Sequence, residues 1–306
     1  MHCYPAENIL PLFSYCLDPP CLVFQYMENG TLFSKLLDSR NPLNWKQRAN
    51  VAVGIARGLR HLHSYNIVHG DIKGLNILLD RHLEPKIGDF GSTRLLYNKS
   101  GQTTSVVFMK SMPGTPYYLP NWYLAIGQQG KEVRKTIDVY SFGMVLLEIL
   151  SGKLSECRDS QERTLRIFVD TDIANHFDPP EDYIAPVDTK DRKFQINIKN
   201  RVDGKLQVSV VDADWARIMF DAGRSCTIFD QTPWEPPLRD PTPWKTMKEK
   251  DITMERIHEL LEECYHYYRE HLGENAKHQI KPLEITDLVK KVTTGILPNE
   301  PQKMDC

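Results

Sequence analysis

The 306-residue chain has no apolar run long enough for a bilayer. Its longest, Val139 to Leu150, is broken by Tyr140, Ser141 and Glu148, whereas a spanning helix needs about 20 predominantly apolar residues. No membrane span is expected. Charge of one sign is also scarce: 38 basic and 40 acidic residues leave a net charge of −2. The basic residues are scattered, so no field gathers nucleic acid or an anionic membrane surface. The seven cysteines are odd in number and dispersed, which fits neither a small disulfide framework nor paired metal-ligand spacing. A reducing, cytoplasmic setting is expected. Cys16 and Cys21 lie close together, but no second Cys/His pair follows at finger spacing, and they read as two buried thiols. His258, Cys264, His266 and His271 share one helical stretch without a zinc-protease arrangement and read as surface and packing residues. The opening MHCYPAENIL has neither the basic start nor the apolar core of a secretory leader.

What is present is ample for a large core, with 41% apolar and 25% charged residues. From Ile9 to Met27 two apolar runs flank Asp18-Pro19-Pro20, which predicts two antiparallel strands around a turn. A short helix is expected over about Thr31 to Leu37. A longer one follows, opened by Asn44 as cap with Gln47 reaching back. Its apolar positions Trp45, Ala49, Ala52, Ile55, Ala56, Leu59 and Leu62 follow helical spacing and predict a core-facing stripe. Thr136 to Leu150, ending at Gly152, is apolar nearly all round and predicts a helix buried on every side. Further on, helices are expected at Thr164 to Phe177, Ile252 to His271 and Glu284 to Val292, and a hairpin about Asp203-Gly204. Two Thr-Pro-Trp repeats, at Thr232 and Thr242, read as tryptophans packing a polar, proline-punctuated stretch onto the body.

The chemistry is concentrated in His69–Asn76, HGDIKGLN, and Asp89–Gly91, DFG. A carboxylate and an amide with four residues between them, then Asp-Phe-Gly after a short hairpin, offer one base and two magnesium ligands from a single region. In the kinase scheme of phosphoryl transfer, Asp71 accepts or orients the substrate hydroxyl proton, Asn76 and Asp89 hold Mg²⁺, and Lys73 neutralises the transferring group.

With those motifs, the chain resembles a protein kinase of the tyrosine-kinase-like group. CLVFQYMENGTL looks like the last small-lobe strand and hinge, GTPYYLP the end of an activation segment, and DVYSFGMVLLEILSGK the central helix of the large lobe. HGDIK, PKIGDFG and YLP are most similar to the Pelle and interleukin-1-receptor-associated kinases. The resemblance implies an α+β protein-kinase-like fold, with a mainly helical large lobe, a truncated β small lobe and a β-hairpin-bearing insert. By number, 1–28 is the remnant of the small lobe, 29–177 the large lobe, 178–250 the insert, 251–295 the last helices and 296–306 a tail. It implies Phe24 as gatekeeper, Gln25 and Met27 as backbone partners of adenine, and Leu78 as the floor of the base. Lys73 and Thr115 stand where Ser/Thr-specific members carry theirs.

The implied activity is phosphorylation of protein Ser/Thr hydroxyls in Toll/interleukin-1-receptor-type signalling, with ATP and Mg²⁺ as cofactors and a protein substrate and signalling adaptors as partners. The alternative is a non-catalytic kinase-like scaffold. Ser100, Thr103, Thr104, Ser105 and Ser111 are candidate phosphorylation sites, with Arg94 or Lys110 to read the phosphate because Gly70 replaces the usual arginine. No Gly-rich loop, strand-borne lysine or helix glutamate precedes Ile9, so the 306 residues are expected to be an incomplete kinase domain. Trp122 and Lys281 stand where the family has a glutamate–arginine tie; the substitute is either a cation–π contact or Trp122 filling the space apolarly with Lys281 toward water.

Overall fold

A computed structural model describes residues 6–97, 101–104, 106–109, 114–120, 123, 131–155, 219, 222–223, 226–227 and 253–271. The Asp203-Gly204 hairpin, both Thr-Pro-Trp repeats, the helices at 164–177 and 284–292, Trp122, Lys281, Lys110, Ser100, Ser105 and Ser111 lie outside the described residues.

Helix α1, Leu32–Leu37, starts at Thr31, whose side chain accepts the Ser34 N–H at 3.1 Å. Helix α2, Trp45–Ser64, opens with the expected reciprocal cap. Asn44 Oδ1 accepts from the Gln47 N–H, and Gln47 Oε1 accepts from the Asn44 N–H, both at 2.9 Å. All seven stripe residues of α2 are buried, and so are Arg48, Val51, Val53 and His63, because α2 is covered on more than one side. Helix α3, Lys135–Ser151, is buried from Ile137 to Ser151 and stops at Gly152, which takes the left-handed φ of 66°. Helix α4, Met254–His271, lies along α2. Arg57 Nη2 pairs with Glu262 Oε1 at 3.0 Å, and Tyr265 Oη donates to Asn50 Oδ1 at 3.3 Å. Met219, Ala222 and Cys226 are helical residues buried in the same core.

Arg48 is a fully buried cation that ties the ends of two helices together. Its Nε donates to the Leu43 carbonyl at 2.9 Å, its Nη1 to the Ile149 carbonyl, and the guanidinium lies 5.7 Å from the Trp45 ring centre.

The strands form two-stranded pairs. β1, Leu12–Leu17, and β2, Pro20–Phe24, make an antiparallel ribbon exposed along its whole length. β3, Ile67–Val68, pairs with β6, Arg94–Leu95; β4, Ile77–Leu79, with β5, Pro85–Ile87; and β7, Val107–Met109, with β8, Lys131–Val133. The β4–β5 hairpin rests on α2 at Gly54 and Gly58. A Cβ at Gly54 would come 2.5 Å from Pro85 Cγ, and one at Gly58 would come 2.8 Å from Ile87 Cδ1 and 2.9 Å from the Asn8 carbonyl.

One expectation is corrected here. Cys16 and Cys21 are exposed, not buried, because they face each other across the ribbon rather than packing on the body. His258 is buried beside Arg60 and Glu262, while His266 is exposed.

Candidate active site

The loop after β3 is held by one carboxylate of α3. Asp138, fully buried, accepts the His69 N–H at 2.8 Å and the His63 Nε2–H at 3.0 Å on Oδ2, and the Gly70 N–H at 2.8 Å on Oδ1. His69 carries the support onward. Its Nδ1 accepts from the Asp71 N–H at 3.3 Å, so the proton sits on Nε2 and goes to the Gly88 carbonyl at 2.9 Å. The Phe90 ring stands edge-on to His69 at 5.2 Å. Gly70 adopts φ of 81°, and Gly114 approaches it so closely that a Cβ there would lie 2.6 Å from the Gly70 carbonyl. No Cβ fits at that crossing, which brings the 114–120 segment onto the loop.

Asp71 is thereby set among three polar side chains. Its Oδ1 accepts the Thr115 hydroxyl at 2.7 Å, and its Oδ2 takes Lys73 Nζ at 2.8 Å and Asn76 Nδ2 at 3.1 Å. Lys73 Nζ also donates to Thr115 Oγ1 at 2.8 Å, which closes a triangle of carboxylate, ammonium and hydroxyl. Partial burial raises the Asp71 pKa and is the largest single effect. The Lys73 and Thr115 hydrogen bonds, the Lys73 charge and Asn76 together outweigh it and hold the carboxyl below its ordinary value. The carboxylate is therefore ionised at neutral pH and already accepts a hydrogen bond from an aliphatic hydroxyl.

Asn76 uses its amide nitrogen on the Asp71 carbonyl, at 2.8 Å, and carboxylate. Its backbone carbonyl accepts the Gly88 N–H at 2.9 Å, which sets Asp89 beside it in the next position of the chain. Asp89 is left-handed at φ 58°, and its Oδ1 accepts the Gly91 N–H at 3.3 Å. The amide oxygen of Asn76 and the carboxylate of Asp89 are oxygen donors of the type a hard divalent cation such as Mg²⁺ takes.

The chain from the end of β2 to α1, expected as the hinge, runs along β4. The Asn29 N–H donates to the Leu79 carbonyl at 3.0 Å, and the Leu79 N–H to the Gly30 carbonyl at 2.8 Å. The Gln25 N–H is spent on the Pro11 carbonyl at 3.1 Å, and the Met27 carbonyl accepts the Gly30 N–H at 3.1 Å. Among the described residues this leaves the Gln25 carbonyl and the Met27 N–H uncommitted, one acceptor and one donor on adjacent turns of extended chain. Phe24 is exposed, Met27 buried and Leu78 half-buried, its Cδ1 lying 2.7 Å from where a Gly88 Cβ would be.

Of the hydroxyls between Asp89 and Thr115, Thr103 is exposed and bridges to Tyr97. Thr104 is half-buried and donates to the Val106 carbonyl at 3.2 Å. The segment's end is anchored to α3 by Tyr118, whose Oη donates to Glu148 Oε1 at 2.6 Å and whose carbonyl accepts Ser141 Oγ at 2.7 Å. Sequence reasoning gave no role to Asp138, His63 or Tyr118, and none to His69 beyond opening the HGDIK motif. The available signal was a carboxylate inside a helix apolar on every side, which burial requires to have partners. A cavity of about 610 Å³ lined by Arg57, Arg60, His61 and Lys135 lies elsewhere and holds none of Asp71, Asn76 or Asp89.

Residues 1–219 match the protein kinase domain family. The chain belongs to the protein kinase family. It is 41% identical over 180 residues to the Pelle-like serine/threonine-protein kinase pik-1 of Caenorhabditis elegans, covering 56% of this chain and 36% of that protein. The serine/threonine-protein kinase pelle of Drosophila melanogaster is 38% identical over 174 residues, covering 54% and 33% respectively. Interleukin-1 receptor-associated kinase 1 of Bos taurus is 38% identical over 156 residues, covering 48% and 21%. The chain thus spans about a third of the length of the first two relatives. Its fold class is that of a protein kinase domain, and no helix among the described residues is long and apolar enough to cross a membrane.

Proposed function

We propose that this chain carries the catalytic loop of a Pelle-like kinase that transfers the γ-phosphoryl group of ATP to protein Ser/Thr hydroxyls in Toll/interleukin-1-receptor-type signalling. The observation that carries this reading is the Asp71–Lys73–Thr115 triangle. Asp71, ionised and already accepting a hydrogen bond from a hydroxyl, orients the incoming hydroxyl and takes its proton as the bond to phosphorus forms. Lys73 offsets the charge on the phosphoryl oxygens. Thr115 holds carboxylate and ammonium in register, and substrate enters by taking its place on Asp71. Asn76 and Asp89 would hold Mg²⁺, which would offset the negative charge of the nucleotide phosphates. The Gln25 carbonyl and Met27 N–H would meet the adenine edge, with Phe24 behind it and Leu78 beneath. Thr103 is the exposed phosphorylation candidate; Ser100, Ser105 and Ser111 share the segment.

In this reading 1–28 belongs to a small lobe, 29–177 and 251–295 to the large lobe, and 178–250 to an insert. The test is a chimera in which residues 8–219 replace the matching part of Drosophila pelle, assayed with Mg-ATP and Ser, Thr and Tyr peptides. Incorporation into the Ser and Thr peptides that falls by about 10²–10⁴-fold in Asp71→Asn is expected. Equal incorporation with and without Asp71 refutes the assignment of the base. An intact, folded chimera without incorporation favours the non-catalytic scaffold.

A further inference from the structure

The β1–β2 ribbon carries two sulfurs that phosphoryl transfer does not use. Cys16 and Cys21 are directly opposed in the antiparallel register, with Leu17↔Pro20 on one side and Tyr15↔Leu22 on the other. Both are free and exposed. Directly opposed residues of such a ladder have Cα atoms about 4.5–5.5 Å apart and share a face, within the roughly 4.4–6.8 Å that a disulfide spans. Pairs on both sides keep the two thiols in register. Cys226 is the opposite case: it is buried in the core, and that burial pushes its thiol far above the ordinary range. Exposure and a resolving partner in reach are what distinguish an oxidisable cysteine from an inert one.

We propose that Cys16 and Cys21 are a redox modification site, closing reversibly into an intramolecular disulfide when the chain meets a hydroperoxide. One thiolate attacks the peroxide O–O bond, which breaks to give a sulfenic acid and an alcohol, or water when the oxidant is hydrogen peroxide. The second thiolate then attacks that sulfur, the S–O bond breaks, and the oxygen leaves as water once protonated. Two thiols and one hydroperoxide yield one disulfide, one alcohol and one water, the sulfurs supplying the two electrons that reduce the O–O bond. Thiol exchange with a small dithiol reverses the reaction. The consequence is local. Among the described residues β1 and β2 are exposed along their whole length, so the ribbon's opening is governed mainly by the ladder. Closing so short a loop raises its closed-to-open ratio by about 10- to 50-fold. Because β2 runs directly into Gln25 and Met27, the staple fixes the strand that feeds the hinge.

The test treats the reduced chain with stoichiometric hydrogen peroxide, blocks remaining thiols, and reads intact mass, a non-reducing peptide map and amide exchange, alongside Cys16→Ser and Cys21→Ser. The expected result is a mass loss of two hydrogens, a peptide linking Cys16 to Cys21 that dithiothreitol separates, and no such link in either variant. Exchange in residues 12–24 slows about 10- to 50-fold on oxidation and stays unchanged in α2. Three outcomes overturn the proposal: oxygen adducts on the two cysteines without a link, links from either to another cysteine or another chain, and both thiols left alkylatable.

Discussion

The β1–β2 ribbon and the β4–β5 hairpin are both antiparallel pairs rich in apolar side chains, yet one is exposed throughout and the other is built into the core. The hairpin differs in what its side chains meet. Pro85 and Ile87 sit on α2 where Gly54 and Gly58 remove the Cβ, and Ile77, Leu79 and Ile87 are fully buried. In the ribbon, Leu17 is 81% exposed and Tyr15 66%. Backbone hydrogen bonds alone leave a two-stranded unit marginal in water. The catalytic loop takes the hairpin's side of this divide. It borrows rigidity from α3 through Asp138, and passes it through His69 to Gly88 at the mouth of the Asp-Phe-Gly turn.

The largest expected effect strikes that borrowed rigidity. Asp138→Ala strands the His69 and Gly70 N–H groups and His63 in the interior and is expected to cost about 3–5 kcal/mol in denaturant unfolding. A loss near zero would mean the loop stands by itself. Gly58→Ala comes next, since the added methyl meets Ile87 and the Asn8 carbonyl, and about 1–3 kcal/mol is expected from overpacking. A neutral Gly58→Ala would mean that the hairpin floats on α2 as the ribbon floats in solvent.

A smaller effect concerns pH. The Asp71 carboxyl is held below its ordinary value, so its ionised form favours the folded state. That contribution is present above the ordinary carboxylate range and is lost as pH falls through the lowered folded-state value. The stability gap between the wild type and Asp71→Asn should therefore shrink on acidification. Thr115→Val, lacking one hydrogen bond, should lose the same contribution at a higher pH than the wild type. Coincident acid limbs for wild type and Thr115→Val would separate Thr115 from the carboxylate. Smallest of all, Leu17→Asn in the ribbon should change stability by less than about 0.5 kcal/mol, where a comparable change at Leu79 would be severe.

Much of this was legible because it is local. The Asn44–Gln47 cap, the Gly152 stop and the turn at Asp18-Pro19 are decided within a few residues. HGDIKGLN and DFG carry their spacing in the text, whereas the Lys73–Thr115 hydrogen bond joins residues 42 apart and was not foreseen. The failures are tertiary. Alternating apolar residues around Cys16 and Cys21 announce a strand pair but do not say whether anything packs on it, so their burial was misjudged. Arg48 and Asp138 are charges within buried helices, and their partners lie on segments distant in sequence: Arg48 reaches Ile149, and Asp138 reaches the 63–70 region. A linear reading shows the buried charge but not the carbonyl or amide that satisfies it.

Native-state amide exchange on the chain tests the comparison most directly. The account predicts that the His69 and Gly70 amides, bonded to a fully buried carboxylate, exchange only through global unfolding and at rates close to those of the α3 core. The amides of β1 and β2 should exchange through local opening, orders of magnitude faster. Equal rates in the two regions, or a catalytic loop that exchanges as fast as the ribbon, would contradict it.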